Sequence, residues 1–164
     1  KNTRVPDGQA KNVEKFCVDY EKKIKQAGGI DLQVLGIGGD GHIAFNEPGT
    51  SLASRTHLVI LDEQTINDNS RFFEKREDVP KTALTMGVGT VLETKELILL
   101  ANGRKKAGVI AQTLEGPITS QITASAIQLH PKVTVFLDAE AASELKRLPY
   151  YKFAEEQATK LGFY

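Results

Sequence analysis

The apolar residues of the N-terminal segment recur at helical spacing. Between residues 9 and 27 they fall three or four positions apart, and lysine and glutamate residues occupy the positions between them. This spacing places the apolar side chains on one face of a helix and the charged ones on the other. The pattern predicts an amphipathic helix over residues 9–27 that ends at Gly28 and Gly29. Its predicted inner face consists of Val13, Phe16, Cys17, Tyr20, Ile24 and Ala27.

Four short, nearly continuous apolar runs predict β-strands. They cover residues 30–37, 57–61, 95–101 and 133–137. The first run is typical of a strand buried on both faces. Helical patterns follow these runs: a short helix capped by Asp62 or Thr65, a helix over 104–114, a short helix or turn over 124–130, a helix around 140–145 and a tail helix from Pro149. Strands that alternate with helices predict an α/β fold with a mostly parallel sheet and helices on both faces.

Length, charge and cysteine content narrow the class of protein. The 164 residues suffice for one domain with a core, and no linker-like segment divides them. The 21 basic residues balance the 21 acidic ones without forming a basic block, which argues against nucleic acid as the main partner. Cys17 is the lone cysteine, which fits a reducing compartment and a core position. Since no apolar run has the length of a membrane span, we expect a cytoplasmic protein with no membrane partner.

A glycine-rich segment after the first predicted strand is where we expect the chemistry. Residues 36–41 include four glycines, and the segment around them presents Asp40, His42 and Glu47. Glycine lets the backbone approach a ligand closely. Imidazole is the side chain whose ordinary pKa lies nearest neutrality, so a histidine between two carboxylates suits acid–base catalysis. Ligands of open parallel sheets bind at the carboxyl ends of the strands, which is where this segment lies.

Three other interpretations of this segment remain open. The spacing GxGxxG from residue 36, with Asp62 further on, matches a dinucleotide-binding fingerprint, but the asparagine, proline and glycine at 46–49 leave no room for the helix that it requires. Asp40, His42 and Glu47 would also suit a metal ion, although no cysteine or second histidine is close. The segment could also be a tight structural turn with a surface histidine.

Two further positions suggest an anionic ligand. Three cations at residues 104–106 open a predicted helix, where the macrodipole disfavours positive charge and attracts anions such as phosphate. A basic solvated turn is the alternative interpretation of these residues. Arg71 precedes two phenylalanines, which either pack against its guanidinium or leave it aimed at an anion.

Five short motifs, spread over most of the chain, resemble those of the glucosamine-6-phosphate deaminases of the NagB-type isomerase family. They are GGDGHIAFNEP (residues 38–48), SLASRT (51–56), NSRFF (69–73), TMGVGT (85–90) and QLHPK (128–132). The sister family, the 6-phosphogluconolactonases, shares a Gly-x-Asp-Gly-His turn but usually not the Phe-Asn-Glu-Pro that follows here. Glu47 is therefore the discriminating residue.

The resemblance implies a Rossmann-like α/β domain that converts glucosamine 6-phosphate and water into fructose 6-phosphate and ammonia in amino-sugar catabolism. It makes Asp40, His42 and Glu47 catalytic: the histidine moves the proton during opening of the sugar ring, and the two carboxylates support that step. The residues that it assigns to substrate binding are Gly38, Gly39, Gly41, Ala44, Arg71 and Lys106, the last two as ligands of the phosphate. It implies a small-molecule sugar phosphate as partner, a possible homo-oligomer, and no metal or organic cofactor.

The family's chains begin further upstream, with a Gly/Thr-rich phosphate loop and an aspartate that abstracts the C2 proton. Residues 1–164 thus resemble the C-terminal part of a single deaminase-like domain, incomplete at the N-terminus. We expect this stretch alone to be inactive and to expose an unpaired sheet edge and apolar surface. The alternatives are a non-catalytic sugar-phosphate-binding module and a 6-phosphogluconolactonase-like hydrolase.

Overall fold

A three-stranded parallel sheet and a separate antiparallel strand pair organise the computed structural model, which describes residues 2–163. The strands are β1 (Leu32–Leu35), β2 (His57–Ile60), β3 (Thr82–Thr85), β4 (Glu96–Ala101) and β5 (Val133–Leu137). The helices are α1 (Val13–Gln26), α2 (Glu63–Asn69), α3 (Val88–Leu92), α4 (Ala107–Glu115) and α5 (Leu148–Lys160). Single 3₁₀ segments cover Ser70–Phe72, Arg76–Asp78, Arg104–Lys106 and Thr123–Leu129. Within residues 2–163, no helix combines the length and apolarity that crossing a membrane requires.

The parallel sheet confirms the predicted α/β class. Its strand order is β1-β4-β5, and β2 pairs with β3 antiparallel beside it. Leu35, Leu97 and Leu99 point to one face, where α3, α4 and the segment Thr123–Leu129 cover them to form the main core. A smaller cluster joins the β2–β3 pair to α2 and consists of Val59, Leu61, Ile66 and Val79, with Phe45 packed against it.

The opposite face of the parallel sheet is apolar and open. The prediction that the first strand is buried on both faces is wrong for the described residues, because Leu32 and Val34 are 50% and 58% exposed. Leu100 and Phe136 lie on the same face and are also about half exposed. Within residues 2–163, β1 pairs only with β4, so its other edge is unpaired. These features confirm the expected open edge and apolar surface; helices on this second face remain a prediction.

Two predicted helices differ from those observed. The first begins at Val13 rather than at residue 9, because the Asn12 side chain accepts from Lys15 N and caps it there. The helix predicted around 140–145 is wrong, since residues 139–144 form successive turns. The Asp138 carboxylate accepts from Ala141 N, and a single four-residue bond from Ala142 N to Asp138 O is followed by three-residue bonds from Ser143 N and Leu145 N, so no α-helix continues.

The carboxylate of Glu21 attaches α1 to the rest of the fold. Its Oε1 accepts from the amide and hydroxyl of Thr56, at 2.8 and 2.6 Å, and from the hydroxyl of Thr90 at 2.6 Å. Its Oε2 pairs with the Arg55 guanidinium. Burial by itself would raise the pKa of Glu21, but the hydrogen bonds from Thr56, Thr90 and Arg55 outweigh it and lower that pKa to about 2. Cys17 is buried on the same face of α1, and burial raises the pKa of its thiol.

We predict that Glu21→Gln lowers the free energy of unfolding by about 1–3 kcal/mol at neutral pH, because buried donors lose a charged acceptor. The folded-state pKa of Glu21, about 2, lies below the ordinary value of 4.5. Its stabilisation is therefore complete above pH 4.5 and is lost as the pH falls toward 2. Denaturant titrations should show that the difference in the free energy of unfolding between parent and variant becomes smaller as the pH is lowered from 7 to 3. Glu156→Gln, at an exposed position of α5, is the control; a difference that does not depend on pH would contradict the prediction.

Candidate active site

A cavity of about 280 Å³ opens beyond the carboxyl ends of β1 and β4, where the sequence predicts the site. The loop after β1 supplies one wall and α2 supplies the other. The lining residues are Gly36, Ile37, Gly38, Gly39, His42, Ala44, Thr65, Asp68, Asn69 and Lys106.

The loop after β1 makes a tight turn instead of starting a helix. Gly38 N donates to His42 O at 2.8 Å, and Gly41 N donates to Gly38 O at 3.3 Å. Gly41 has a φ of +88°, and a Cβ there would come within 2.8 Å of the Ile122 side chain. No helix occurs between residues 36 and 49, so the dinucleotide-binding interpretation is wrong. The glycines allow a close turn that carries ionisable side chains.

Two carboxylates contact the same nitrogen of His42. Nδ1 lies 2.8 Å from Asp40 Oδ1 and 3.4 Å from Glu47 Oε2. Asp40 Oδ1 also accepts from His42 N at 3.1 Å, and Glu47 Oε1 accepts from Asp62 N at 3.3 Å. The contacts to Nδ1 lack hydrogen-bond alignment, as is common for catalytic groups before substrate binds. The arrangement places negative charge on the Nδ1 side of the ring.

The same three side chains offer ligand atoms that lie within 4.8 Å of one another, a spacing that would suit a cation. An acid–base role without a metal remains our prediction for Asp40, His42 and Glu47.

Lys106 is the member of the basic run that faces the cavity. Its Nζ donates to Ile37 O at 2.7 Å, at the end of β1. The protein's own acids occupy the helix start: Asp138 accepts from Gly103 N, and Glu140 accepts from Arg104 N. These carboxylates supply negative charge where the macrodipole attracts it, so the basic run does not by itself require an external anion.

Two residues expected to bind substrate lie away from the cavity. Arg71 is exposed, and its guanidinium carbon lies 4.8 Å from the centre of the Phe72 ring. Gly41 is buried, and a Cβ added to it would meet the side chains of Ile122 and Val109 in the core. The cavity is lined instead by Thr65, Asp68 and Asn69 of α2, and the sequence analysis predicts none of these as a ligand. Only the tertiary placement of α2 next to Glu47 brings them there.

We predict that Gly38→Ala displaces the imidazole of His42. A Cβ at residue 38 would lie 2.5 Å from His42 Cε1, 2.6 Å from His42 Nδ1 and 2.7 Å from Asp40 Oδ1, distances too short for packed atoms. Nuclear magnetic resonance (NMR) of the ring should show a changed Cε1–H signal. Gly39→Ala is the matched control, because a Cβ there meets no atom within 4 Å. A ring signal that moves in the control and not in Gly38→Ala would contradict the prediction.

Comparison with known proteins places this geometry in a family. The sequence profile described as glucosamine-6-phosphate isomerases/6-phosphogluconolactonase matches residues 1–136. The glucosamine-6-phosphate deaminase of Alkaliphilus oremlandii is 56% identical over 141 residues, which cover 86% of this chain and 58% of the relative. The chain thus spans somewhat more than half the length of this relative.

Solved structures agree with the sequence match. A monomeric glucosamine-6-phosphate deaminase of the NagB superfamily superposes with a TM-score of 0.83 at 49% identity, covering 86% of this chain and 58% of that one. The 6-phosphogluconolactonase from Trypanosoma cruzi superposes with a TM-score of 0.57 at 26% identity, over 80% and 52% of the two chains. The chain is therefore more similar, in sequence and in structure, to this deaminase than to this 6-phosphogluconolactonase. The chain belongs to the glucosamine-6-phosphate isomerase/6-phosphogluconolactonase family.

Proposed function

We propose that the full-length protein is a glucosamine-6-phosphate deaminase, which converts glucosamine 6-phosphate and water into fructose 6-phosphate and ammonia. The observation that carries the proposal is the His42 imidazole, held between Asp40 and Glu47 at the wall of a cavity that also contains Lys106. The deaminase relative at 56% identity supports it. We further propose a cytoplasmic role in amino-sugar catabolism, with a sugar phosphate as the partner.

Opening of the sugar ring is the step that the described residues can perform. The ring oxygen must gain a proton and the C1 hydroxyl must lose one. Asp40 and Glu47 both approach Nδ1, so the imidazole would exchange protons with the sugar through its other nitrogen, Nε2. In this proposal Nε2 takes the proton of the C1 hydroxyl and gives it to the ring oxygen.

The substrate's phosphate and its C2 proton need further groups. In this proposal, Lys106 Nζ leaves Ile37 O to bind the phosphate, and Arg71 joins it when the segment Ser70–Phe72 rearranges. For the base that removes the C2 proton we propose a group outside residues 1–164, because the resemblance assigns this role to an upstream segment. We therefore expect residues 1–164 alone to show no turnover, and we propose that they form the C-terminal part of the catalytic domain.

The first test measures ammonia released from glucosamine 6-phosphate by the full-length protein. We predict that His42→Ala lowers kcat by roughly 10²–10⁴-fold, the usual contribution of a positioned acid–base group. Asp40→Asn should also lower kcat, since it removes a charge 2.8 Å from Nδ1. His57→Ala is the control, because His57 lies on β2 outside the cavity. Binding of the sugar phosphate without turnover would favour a sensor, and hydrolysis of 6-phosphogluconolactone in its place would reject the proposal.

The second test concerns the phosphate. We predict that Lys106→Ala and Arg71→Ala each weaken substrate binding by about 1.5–3 kcal/mol, the loss of a hydrogen bond to a charged group. Arg71→Lys should restore binding only in part, because the two-pronged contact of arginine is lost. Calorimetry with glucosamine 6-phosphate and with unphosphorylated glucosamine measures how much the phosphate group contributes to the free energy of binding. Lys105→Ala, the exposed neighbour, is the control. If both alanine variants keep the full preference for the phosphorylated sugar, the assignment is wrong.

A further inference from the structure

The turn that separates His42 from Glu47 is held at both ends by one buried hydroxyl. We propose that Thr123 is a positioning residue for the active site, an inference that rests on the proposed deaminase function. Thr123 does not line the cavity. It lies 80 residues after Ile43 in the sequence, at the start of the segment Thr123–Leu129. It acts on the reaction only through the geometry of the His42–Glu47 pair.

The Thr123 hydroxyl makes two hydrogen bonds across the turn. Its Oγ1 accepts from Ile43 N at 3.3 Å and donates to Asn46 O at 2.8 Å. Ile43 directly follows His42, and Asn46 directly precedes Glu47. A single side chain, itself fully buried, therefore fixes both the peptide unit that follows His42 and the peptide unit that precedes Glu47.

The turn needs such support because its conformation is unfavourable by itself. Ala44 has a φ of +52°, the left-handed region that residues other than glycine seldom adopt. The Asn46 side chain contributes by donating to Ile43 O at 3.0 Å and to Met86 O at 2.8 Å. Thr85 contributes by accepting from Phe45 N at 3.1 Å. Asn46 also joins the two ends of the turn from within, through Ile43 O, whereas the Thr123 hydroxyl binds Ile43 N and Asn46 O from a distant segment and so attaches both ends to the main core.

Loss of this hydroxyl would change the distance that matters for catalysis. Glu47 Oε2 lies 3.4 Å from His42 Nδ1, and the path between them runs through the four residues of the turn. Without Thr123 Oγ1, the N–H of Ile43 and the carbonyl of Asn46 would be buried without this partner, so the turn must move to satisfy them. Displacements of about 1 Å at a catalytic group can cost about 100-fold in rate.

The experiment compares isosteric and conservative variants in the full-length enzyme. Thr123→Val keeps the side-chain shape and removes the hydroxyl, whereas Thr123→Ser keeps the hydroxyl and removes a methyl group. Thr113→Val is the matched control: Thr113 is equally buried, and its Oγ1 has no hydrogen-bond partner within the described part of the chain. Should Thr123→Val not fold, Thr123→Ala removes the same hydroxyl without placing a methyl group beside Ile43 N.

We expect Thr123→Val to lower kcat about tenfold to a hundredfold, with little change in KM, because Lys106 and the glycine wall of the cavity are untouched. Thr123→Ser should restore most of kcat, and Thr113→Val should retain it. The proposal is overturned if Thr123→Val lowers the melting temperature but keeps the parent kcat, or if Thr123→Ser is impaired as much as Thr123→Val.

A second readout separates this proposal from the proposed function. The NMR signal of the His42 Cε1–H reports the ring's surroundings whether or not the protein is a deaminase. If the parent enzyme releases no ammonia but Thr123→Val still moves that signal and Thr123→Ser does not, the proposed function fails and the positioning role stands. If the signal is unchanged in Thr123→Val, the positioning role fails even when the parent is an active deaminase.

Discussion

The arrangement of the site depends on one constraint: backbone polar groups taken out of water must find partners. The turn over residues 43–46 is packed between the two hydrophobic clusters, where Ile43 and Asn46 are fully buried. Side chains from two distant segments, Thr85 and Thr123, supply the missing donors and acceptors. Because each bond has a direction as well as an energy, meeting this requirement also fixes where the imidazole and its carboxylates lie.

The features that could be predicted from the sequence are those that local patterns encode. Four of the five described strands follow from short apolar runs, and the position of the candidate site follows from glycines and ionisable groups placed at a strand end. The sequence analysis missed β3, whose Thr-Ala-Leu-Thr sequence is not an apolar run and which is defined by its pairing with β2. Pairing with neighbours also decides where strands end: the first strand shortens from 30–37 to Leu32–Leu35. The turns over 139–144 escaped prediction because Asp138 bonds to Gly103 N as well as Ala141 N, and the first of these is a contact between distant residues.

Positions that act through tertiary contacts could not be identified in this way. Thr65, Asp68 and Asn69 form part of a short polar helix, and nothing in its spacing distinguishes a cavity wall from a solvated face. Thr123 occupies a stretch of small residues with no chemical signature. The basic run at 104–106 shows the same limit, since the acids that accept from the amides at the helix start lie about 35 residues away in the sequence. A local charge pattern does not show which group, distant in the sequence, lies next to it in the fold.

The division of the apolar residues into two clusters has a consequence for motion. Asp62 N donates to Glu47 Oε1, and α2 forms a cavity wall, so the unit built on the smaller cluster contacts one carboxylate and lines the cavity. His42 and Lys106 belong instead to loops of the larger core. Small apolar clusters open locally at a lower free energy than a main core does. Local opening of the smaller unit would therefore release the wall formed by α2 and remove the Asp62 amide from Glu47 in the same event, so that the shape of the cavity and the surroundings of one carboxylate depend on the same small cluster.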